Sequence, residues 1–208
     1  MKKPFSLLIT IIVIFVLAAM AYWFLTTESN ILGENNLNLS GILENNSNQN
    51  LPPTSENVFA TDDFSLNYPA GWRSVPAMTG VSAMIVKGNE NITNPEAKKM
   101  NFQTYFAVSY DSAEGKTKEQ VAEYLKNELR SAIPDAVFSR ENFLTLNGRE
   151  AYATEVTFKK SGIDFHVLMV AVWGEGNDLW VLSYNTLEEL WQNYVGEFEE
   201  MTQAFVVK

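Results

Sequence analysis

The sequence predicts an α+β domain with a central antiparallel sheet between helices, preceded by one transmembrane helix. Three observations support this fold class. Residues 5–25 are an uncharged apolar run. Strand-like alternating segments, separated by short turn signals, recur along residues 57–208. Two segments have the spacing of amphipathic helices, one beginning after residue 117 and one after residue 186.

The run at residues 5–25 contains 21 residues without a charge. A helix of that length, at about 1.5 Å per residue, spans a hydrocarbon core of about 30 Å. Two lysines precede the run, and positive residues stay on the cytoplasmic side. Residues 1–4 are therefore predicted to be a cytoplasmic stub, with the rest of the chain extracytoplasmic. The alternative is a signal peptide cleaved after Ala21, because Ala19 and Ala21 resemble a small-x-small cleavage site. The bulky residues directly after Ala21 favour an uncleaved signal-anchor.

Residues 26–56 are predicted to be a flexible, Asn-rich tether. Eight of these 31 residues are Asn and none is aromatic. Such a segment cannot bury enough apolar area to offset the entropy lost on ordering. As a flexible coil it would span about 30 Å root-mean-square. The tether would hold the domain of residues 57–208 at a distance from the membrane.

The domain is predicted to open with a strand at Phe64. Phe64, Leu66 and Tyr68 alternate with polar residues and therefore lie on one side of the strand. A Pro-Ala-Gly sequence ends it, and Trp72 follows as a core residue. Further strands are predicted at residues 81–86, 102–110, 138–146, 150–158, 163–173 and 179–185. The polar residues 87–101 are predicted to be an exposed loop.

Short turns between the later strands predict an antiparallel meander. Asn147-Gly148 is typical of a type I′ hairpin turn, which needs positive φ at both positions. Residues 159–162 make the next turn. Consecutive hairpins join antiparallel neighbours, not the parallel strands of a crossover fold.

Two capping boxes predict where two helices begin. Thr117 and Gln120 begin the first helix, which ends before Pro134. Thr186 and Glu189 begin the second, which has one apolar and one acidic face. The apolar face is predicted to pack on the sheet and the acidic face to be solvated. The apolar positions are Leu187, Leu190, Trp191, Tyr194, Val195, Phe198, Met201 and Phe205.

Composition argues against several classes of function. The net charge of −10 at pH 7 disfavours nucleic-acid binding, which needs clustered Lys and Arg. The chain has no cysteine, which excludes disulfides, thiol catalysis and cysteine-bound zinc. The sequence has no Gly-x-Ser-x-Gly elbow and no Gly-rich phosphate loop. A hydrolase would have to use the single histidine, and an enzyme is not predicted.

The weak candidates for a metal site are Glu155, Asp164 and His166. Asp164 and His166 lie on one face of a predicted strand, because side chains alternate. A four-residue turn before this strand would place Glu155 opposite His166, a cluster that could hold a divalent metal. A two-residue turn at Ser161-Gly162 would instead pair Lys159 with Asp164 as an ordinary cross-strand ion pair. The second interpretation is favoured.

No cofactor is predicted, although calcium or another divalent metal remains the alternative. Besides the three candidates above, Asp62-Asp63 and the pair Asp111 and Glu114 could approach calcium in a loop. They lack the ligand density of a dedicated calcium site.

Three stretches resemble the PsbP-like family. FSLNYPAGW at residues 64–72 is similar to the family's opening pattern, Phe-Ser-hydrophobic-x-Tyr-Pro-x-Gly-Trp. LNGREAY at residues 146–152 resembles its Gly-containing hairpin, and MTQAFVV at residues 201–207 resembles its ending. The resemblance covers residues 58–208. It implies an α/β/α sandwich with a central antiparallel sheet, in agreement with the order of predicted elements, and no common enzyme activity.

Members of this family include extrinsic photosystem subunits, assembly factors and exported bacterial domains. The anchor and the Asn-rich tether distinguish this chain from photosynthetic members, so the resemblance implies an exported, membrane-anchored bacterial-type member. The leading hypothesis is a single-pass cell-membrane protein. Its non-catalytic extracytoplasmic domain would dock on, or help assemble, a membrane-associated partner protein. The alternative is an exported domain that binds a small ligand or a divalent metal.

Overall fold

The computed structural model describes residues 57–208. The predicted cytoplasmic stub, transmembrane helix and tether lie outside the described residues. Among residues 57–208, no helix combines the length and the hydropathy needed to cross a membrane. In chain order the elements of this part are β1 Asn57–Ala60, β2 Phe64–Tyr68, β3 Trp72–Val75, β4 Ala83–Lys87, α1 Pro95–Lys99, β5 Tyr105–Ser112, α2 Lys118–Ala132, β6 Val137–Leu146, β7 Arg149–Lys160, β8 Ile163–Trp173, β9 Asp178–Leu187, α3 Trp191–Gln203 and β10 Val206–Val207.

The strands form two antiparallel sheets. The larger sheet has the order β3-β4-β5-β9-β8-β7-β6, and the smaller sheet has the order β1-β2-β10. Neighbouring strands are antiparallel in both sheets, which confirms the predicted antiparallel architecture. Strands β6 to β9 form the predicted meander, and β5 joins it by pairing with β9.

One face of the larger sheet is covered by α3 and by the smaller sheet. Trp191, Phe198 and Met201 of α3 are buried in one cluster with Phe64 and Leu66 of β2. Each of these side chains is at most 3% exposed. Most of the apolar stripe predicted for the last helix therefore belongs to this core, and the opening FSLNY strand contributes to it. The exceptions are Leu187, which lies in β9, and Leu190, because both pack in a different cluster.

The opposite face of the larger sheet is covered by α2 and α1. Val121 and Leu125 of α2 pack against sheet residues including Met169. Further along the same face, Leu129 of α2 and Ala97 of α1 pack in a second cluster on β7 and β8. Helices thus lie on both sides of the central sheet, with the three-stranded sheet added on the α3 side.

Local sequence signals locate α2 and the β6–β7 turn. The Gln120 backbone N–H donates to the Thr117 hydroxyl, and the Gln120 side-chain oxygen accepts the Thr117 backbone N–H at 2.9 Å. Asn147 has a φ of +49° and Gly148 a φ of +78°, as a type I′ turn requires. Both predictions are confirmed. The cap and the turn each depend on residues that are close in sequence, so the local sequence is enough to predict them.

The prediction that residues 87–101 form only an exposed loop is wrong. The Asn94 side-chain oxygen accepts the backbone N–H groups of Glu96 and Ala97 at 2.9 and 3.0 Å, and this cap begins α1. Ala97 is fully buried beneath it. The polar composition obscures the helix, because Ala97 is the one buried residue within it.

The capping box predicted at Thr186 and Glu189 is also wrong. Strand β9 continues to Leu187, and a 3-10 turn at Glu188–Leu190 precedes α3. Thr186 is fully buried, and its hydroxyl lies 2.8 Å from that of Thr104. A hydroxyl turned into the core cannot cap a helix, so α3 begins without a side-chain cap.

Candidate functional site

The β7–β8 hairpin determines where the three candidate metal ligands lie. Its turn is the two-residue Ser161-Gly162, with φ of +52° and +81°. In this register Lys159 faces Asp164, and Thr157 faces His166. The favoured two-residue turn is confirmed, and the four-residue turn with Glu155 directly opposite His166 is wrong. Residue 155 faces Leu168 instead.

Glu155 and His166 nevertheless meet, because they are diagonal neighbours on one face of the sheet. The Glu155 Oε2 and the His166 Nε2 are 3.2 Å apart, and both residues are buried. Asp164 is not part of this pair. Its carboxylate contacts the Lys159 ammonium at 3.2 Å, and both side chains are more than half exposed.

Three residues that the sequence did not suggest complete the surroundings of His166. Glu188 Oε2 lies 2.8 Å from His166 Nδ1. Arg140 Nη1 donates to Glu155 Oε1 at 3.0 Å. The Trp191 indole stacks on the imidazole with ring centres 3.6 Å apart and planes inclined by 4°. We refer to Arg140, Glu155, His166, Glu188 and Trp191 as the imidazole cluster.

The imidazole cluster joins five elements, which is why the sequence did not reveal it. Arg140 lies in a bulge of β6 and has a φ of +49°, and no turn residue announces this bulge. Glu188 is in the 3-10 turn after β9, where the sequence predicted the solvated face of a helix. The positions of both side chains depend on how distant elements pack together.

The geometry of the imidazole cluster favours a structural role. The two carboxylates lie at opposite ring nitrogens, so they cannot share one metal ion with the ring. Among residues 57–208, no group of three or more His, Asp or Glu side chains is arranged to hold a metal ion. The two ring nitrogens of His166 each contact a carboxylate, and the Trp191 indole covers the face of the ring. Metal binding by Glu155, Asp164 and His166 was the alternative that the sequence disfavoured, and it stays an alternative.

Asp111, one of the acidic residues considered for calcium, lies in β5 and not in a loop. Asp111 is 5% exposed, and its Oδ1 accepts the backbone N–H of Ser112 at 2.8 Å. Burial raises the pKa of Asp111. A buried carboxyl on a strand lacks the open coordination that a loop calcium site offers.

The free edge of the larger sheet at β6 is a second surface of interest. Val137 is 61% exposed and Phe143 48% exposed, and both are large apolar residues of this strand. Val137 pairs with Thr157, and Phe143 pairs with Tyr152. Residues 152 and 157 point to opposite faces of β7, so Phe143 and Val137 also lie on opposite faces of the sheet. Their common feature is that both belong to its edge strand.

The two edges of the larger sheet differ in length. The β3 edge has four residues and the β6 edge has ten. Short edge strands and bulges protect sheets from unwanted pairing. In β6 the bulge lies between Ser139 and Asn142, and residues 142–146 then pair with β7 in regular register. Within residues 57–208 no strand pairs with the outer side of this regular part, beside Phe143.

A family model described as PsbP matches residues 56–207 of the chain. No curated protein matches the chain at a significant level. The family match therefore rests on nearly the whole of the part that the structure describes.

Several solved structures are similar in fold. LpqN of Mycobacterium tuberculosis, described as involved in cell envelope biogenesis, has a TM-score of 0.55 and 17% identity, covering 70% of this chain and 83% of LpqN. Cyanobacterial PsbP (CyanoP) from Synechocystis has a TM-score of 0.54 and 14% identity, covering 78% of this chain and 98% of CyanoP. The Ran-binding protein Mog1p of Saccharomyces cerevisiae has a TM-score of 0.50 and 10% identity, covering 69% of this chain and 89% of Mog1p. At these identities the similarity concerns the fold alone.

Proposed function

Because the chain belongs to the PsbP family, we propose that it is a non-catalytic docking domain, held at the outer face of the cell membrane, that binds a membrane-associated partner protein. Residues 5–25 anchor the chain with its amino terminus in the cytoplasm. Residues 26–56 act as a tether that lets the domain contact partners at a distance from the membrane surface. LpqN is described as involved in cell envelope biogenesis. As part of the same proposal, this chain also acts in the cell envelope.

The observation that carries the docking proposal is the β6 edge. Ten residues of strand lie at the end of the larger sheet, with Val137 and Phe143 exposed at either side of the bulge. An extended segment of a partner can add to such an edge through backbone hydrogen bonds, while side-chain contacts supply specificity. Phe143 is supported from below by Tyr152, with ring centres 5.3 Å apart, and a supported aromatic ring makes a good anchor at an interface.

The proposal is tested by isolating the full-length chain from its own membranes in mild detergent. The double variant V137K/F143K places two charges on the β6 edge and is expected to retain about tenfold less of the partner, since two apolar anchors are lost. The matched control is V58K/V206K, which places the same charges on exposed valines of the smaller sheet. Circular dichroism shows whether each variant is folded.

Equal retention of partner by the two folded double variants would contradict docking at β6. Failure of the wild-type chain to retain any specific membrane protein would contradict the docking function itself.

A further inference from the structure

The bulge of β6 turns two charged side chains to opposite faces of the larger sheet. Arg140 and Glu141 lie where the regular pairing of β6 with β7 is interrupted. The Glu141 carboxylate contacts the Lys126 ammonium at 2.7 Å, on the face that α2 covers. The Arg140 guanidinium contacts Glu155 at 3.0 Å, on the face where α3 packs. The β6 edge therefore carries a cation on one face and a carboxylate with its own counter-ion on the other.

Arg140 is exposed, and most of its donors are open to a partner. Its side chain is 70% exposed. A guanidinium has five N–H donors, and within residues 57–208 only the Arg140 Nη1 has an acceptor, Glu155 Oε1. Glu155 is buried and also contacts His166, so it holds the guanidinium from the inner side. The outer side can bind a second carboxylate through two parallel hydrogen bonds.

The backbone at Arg140 is a second, independent observation. Its φ is +49°, in the left-handed region that few residues other than Gly adopt. Bulges at sheet edges redirect side chains, and strained backbone of this kind persists mainly where the surrounding structure holds it for a function. The bulge thus directs a long cationic side chain outward beside the regular part of the strand.

We propose that the segment docking at β6 carries a carboxylate for Arg140 as well as an apolar side chain for Phe143. The partner then contributes an extended segment in which an Asp or Glu lies close to an apolar residue. This inference rests on the proposed docking at β6, and it names the chemistry by which that edge recognises its partner.

The sheet predicts where the carboxylate lies in the partner segment. Neighbouring strands of the larger sheet are antiparallel, and an added strand that continues this pattern runs antiparallel to β6. Its anchor residue, opposite Phe143, lies on the same face as Tyr152. Because side chains alternate, the residues one and three positions after the anchor lie on the other face, with Arg140. The residue two positions after the anchor lies on the face of Glu141, where an acidic side chain is disfavoured.

The test begins with short random peptides displayed on phage and selected on the full-length chain in detergent micelles. Peptides that bind the wild-type chain and not F143K are those that use the β6 edge. We expect Asp or Glu to be enriched among them one or three positions after an apolar residue. No enrichment is expected two positions after it.

A selected peptide is then synthesised, and its affinity is measured by fluorescence anisotropy. Replacing its acidic residue by the amide should weaken binding to the wild-type chain about tenfold, because a charge-assisted contact is lost. The same replacement should not change binding to R140Q. The matched control R73Q removes an exposed guanidinium from β3, at the other edge of the sheet, and should leave the affinity within about twofold.

Circular dichroism shows whether R140Q and R73Q are folded, and the peptide replacement tests the proposal without any change to the chain. If Phe143-dependent peptides are not enriched in acidic residues, or bind folded R140Q and R73Q equally, Arg140 does not recognise the partner. Docking at β6 would then stand without this inference. If no selected peptide depends on Phe143, docking at β6 fails, and this inference fails with it.

Discussion

Glu155 links Arg140 and His166 within the imidazole cluster. One carboxylate oxygen accepts from Arg140 and the other contacts His166, and the side chain is 10% exposed. Asp164 lies two residues from His166 on the same strand, but it makes only a solvent-exposed ion pair. Two carboxylates that look equivalent in the sequence thus differ in what they contribute to stability.

We expect E155Q to lower the free energy of unfolding by about 1–3 kcal/mol, because a buried hydrogen-bonding network loses its charged acceptor. D164N removes the same charge from the neighbouring strand and should cost less than about 1 kcal/mol, as exposed ion pairs do. Chemical denaturation of both variants measures the difference. Equal losses would show that the imidazole cluster does not stabilise the domain.

Among the elements, α2 and α3 show what a local signal can specify. The Thr117 capping box lies on the surface, where the hydroxyl is free to turn toward the first helical turn, and α2 begins there. The pattern at Thr186 is equally good in sequence, but β9 carries that residue into the core. A capping pattern therefore predicts a helix start only where the chain is not already committed to a strand.

The Thr117 cap provides a quantitative check at this scale. T117A should lower the free energy of unfolding by about 1 kcal/mol, because the Gln120 backbone N–H loses its acceptor. T117S keeps a hydroxyl at the same position and should stay within a few tenths of a kcal/mol of wild type. Urea titration followed by circular dichroism compares them. If the two variants lose the same stability, the hydroxyl is not the stabilising group.

The sequence predicts the meander, the Asn147-Gly148 turn and the apolar face of α3, because periodicity and turn chemistry are local properties. It does not predict the bulge at Arg140 or the position of Glu188, which depend on contacts between distant elements. The same limit applies to the candidate metal site. Strand alternation predicted a shared face for Asp164 and His166, but the hairpin register and the 3-10 turn decided which side chains contact the imidazole.

The whole molecule combines a PsbP-family domain with an amino-terminal segment whose anchoring role is a prediction from hydropathy and charge. Within the domain, α3 and the smaller sheet cover one face of the larger sheet, and α1 and α2 cover the other. The β6 edge is the long exposed border of this layered arrangement. Docking at the membrane would therefore use an edge of the sheet and leave its covered faces intact.

Site-specific photo-cross-linking in intact cells tests the docking claim most directly. A photoreactive phenylalanine analogue replaces Phe143 in the full-length chain, and the same analogue at Val58 serves as the control, because both positions are about half exposed. The account predicts a discrete adduct with one membrane-associated protein from position 143 and none from position 58. No adduct at position 143, or the same adducts at both positions, would contradict docking through the β6 edge.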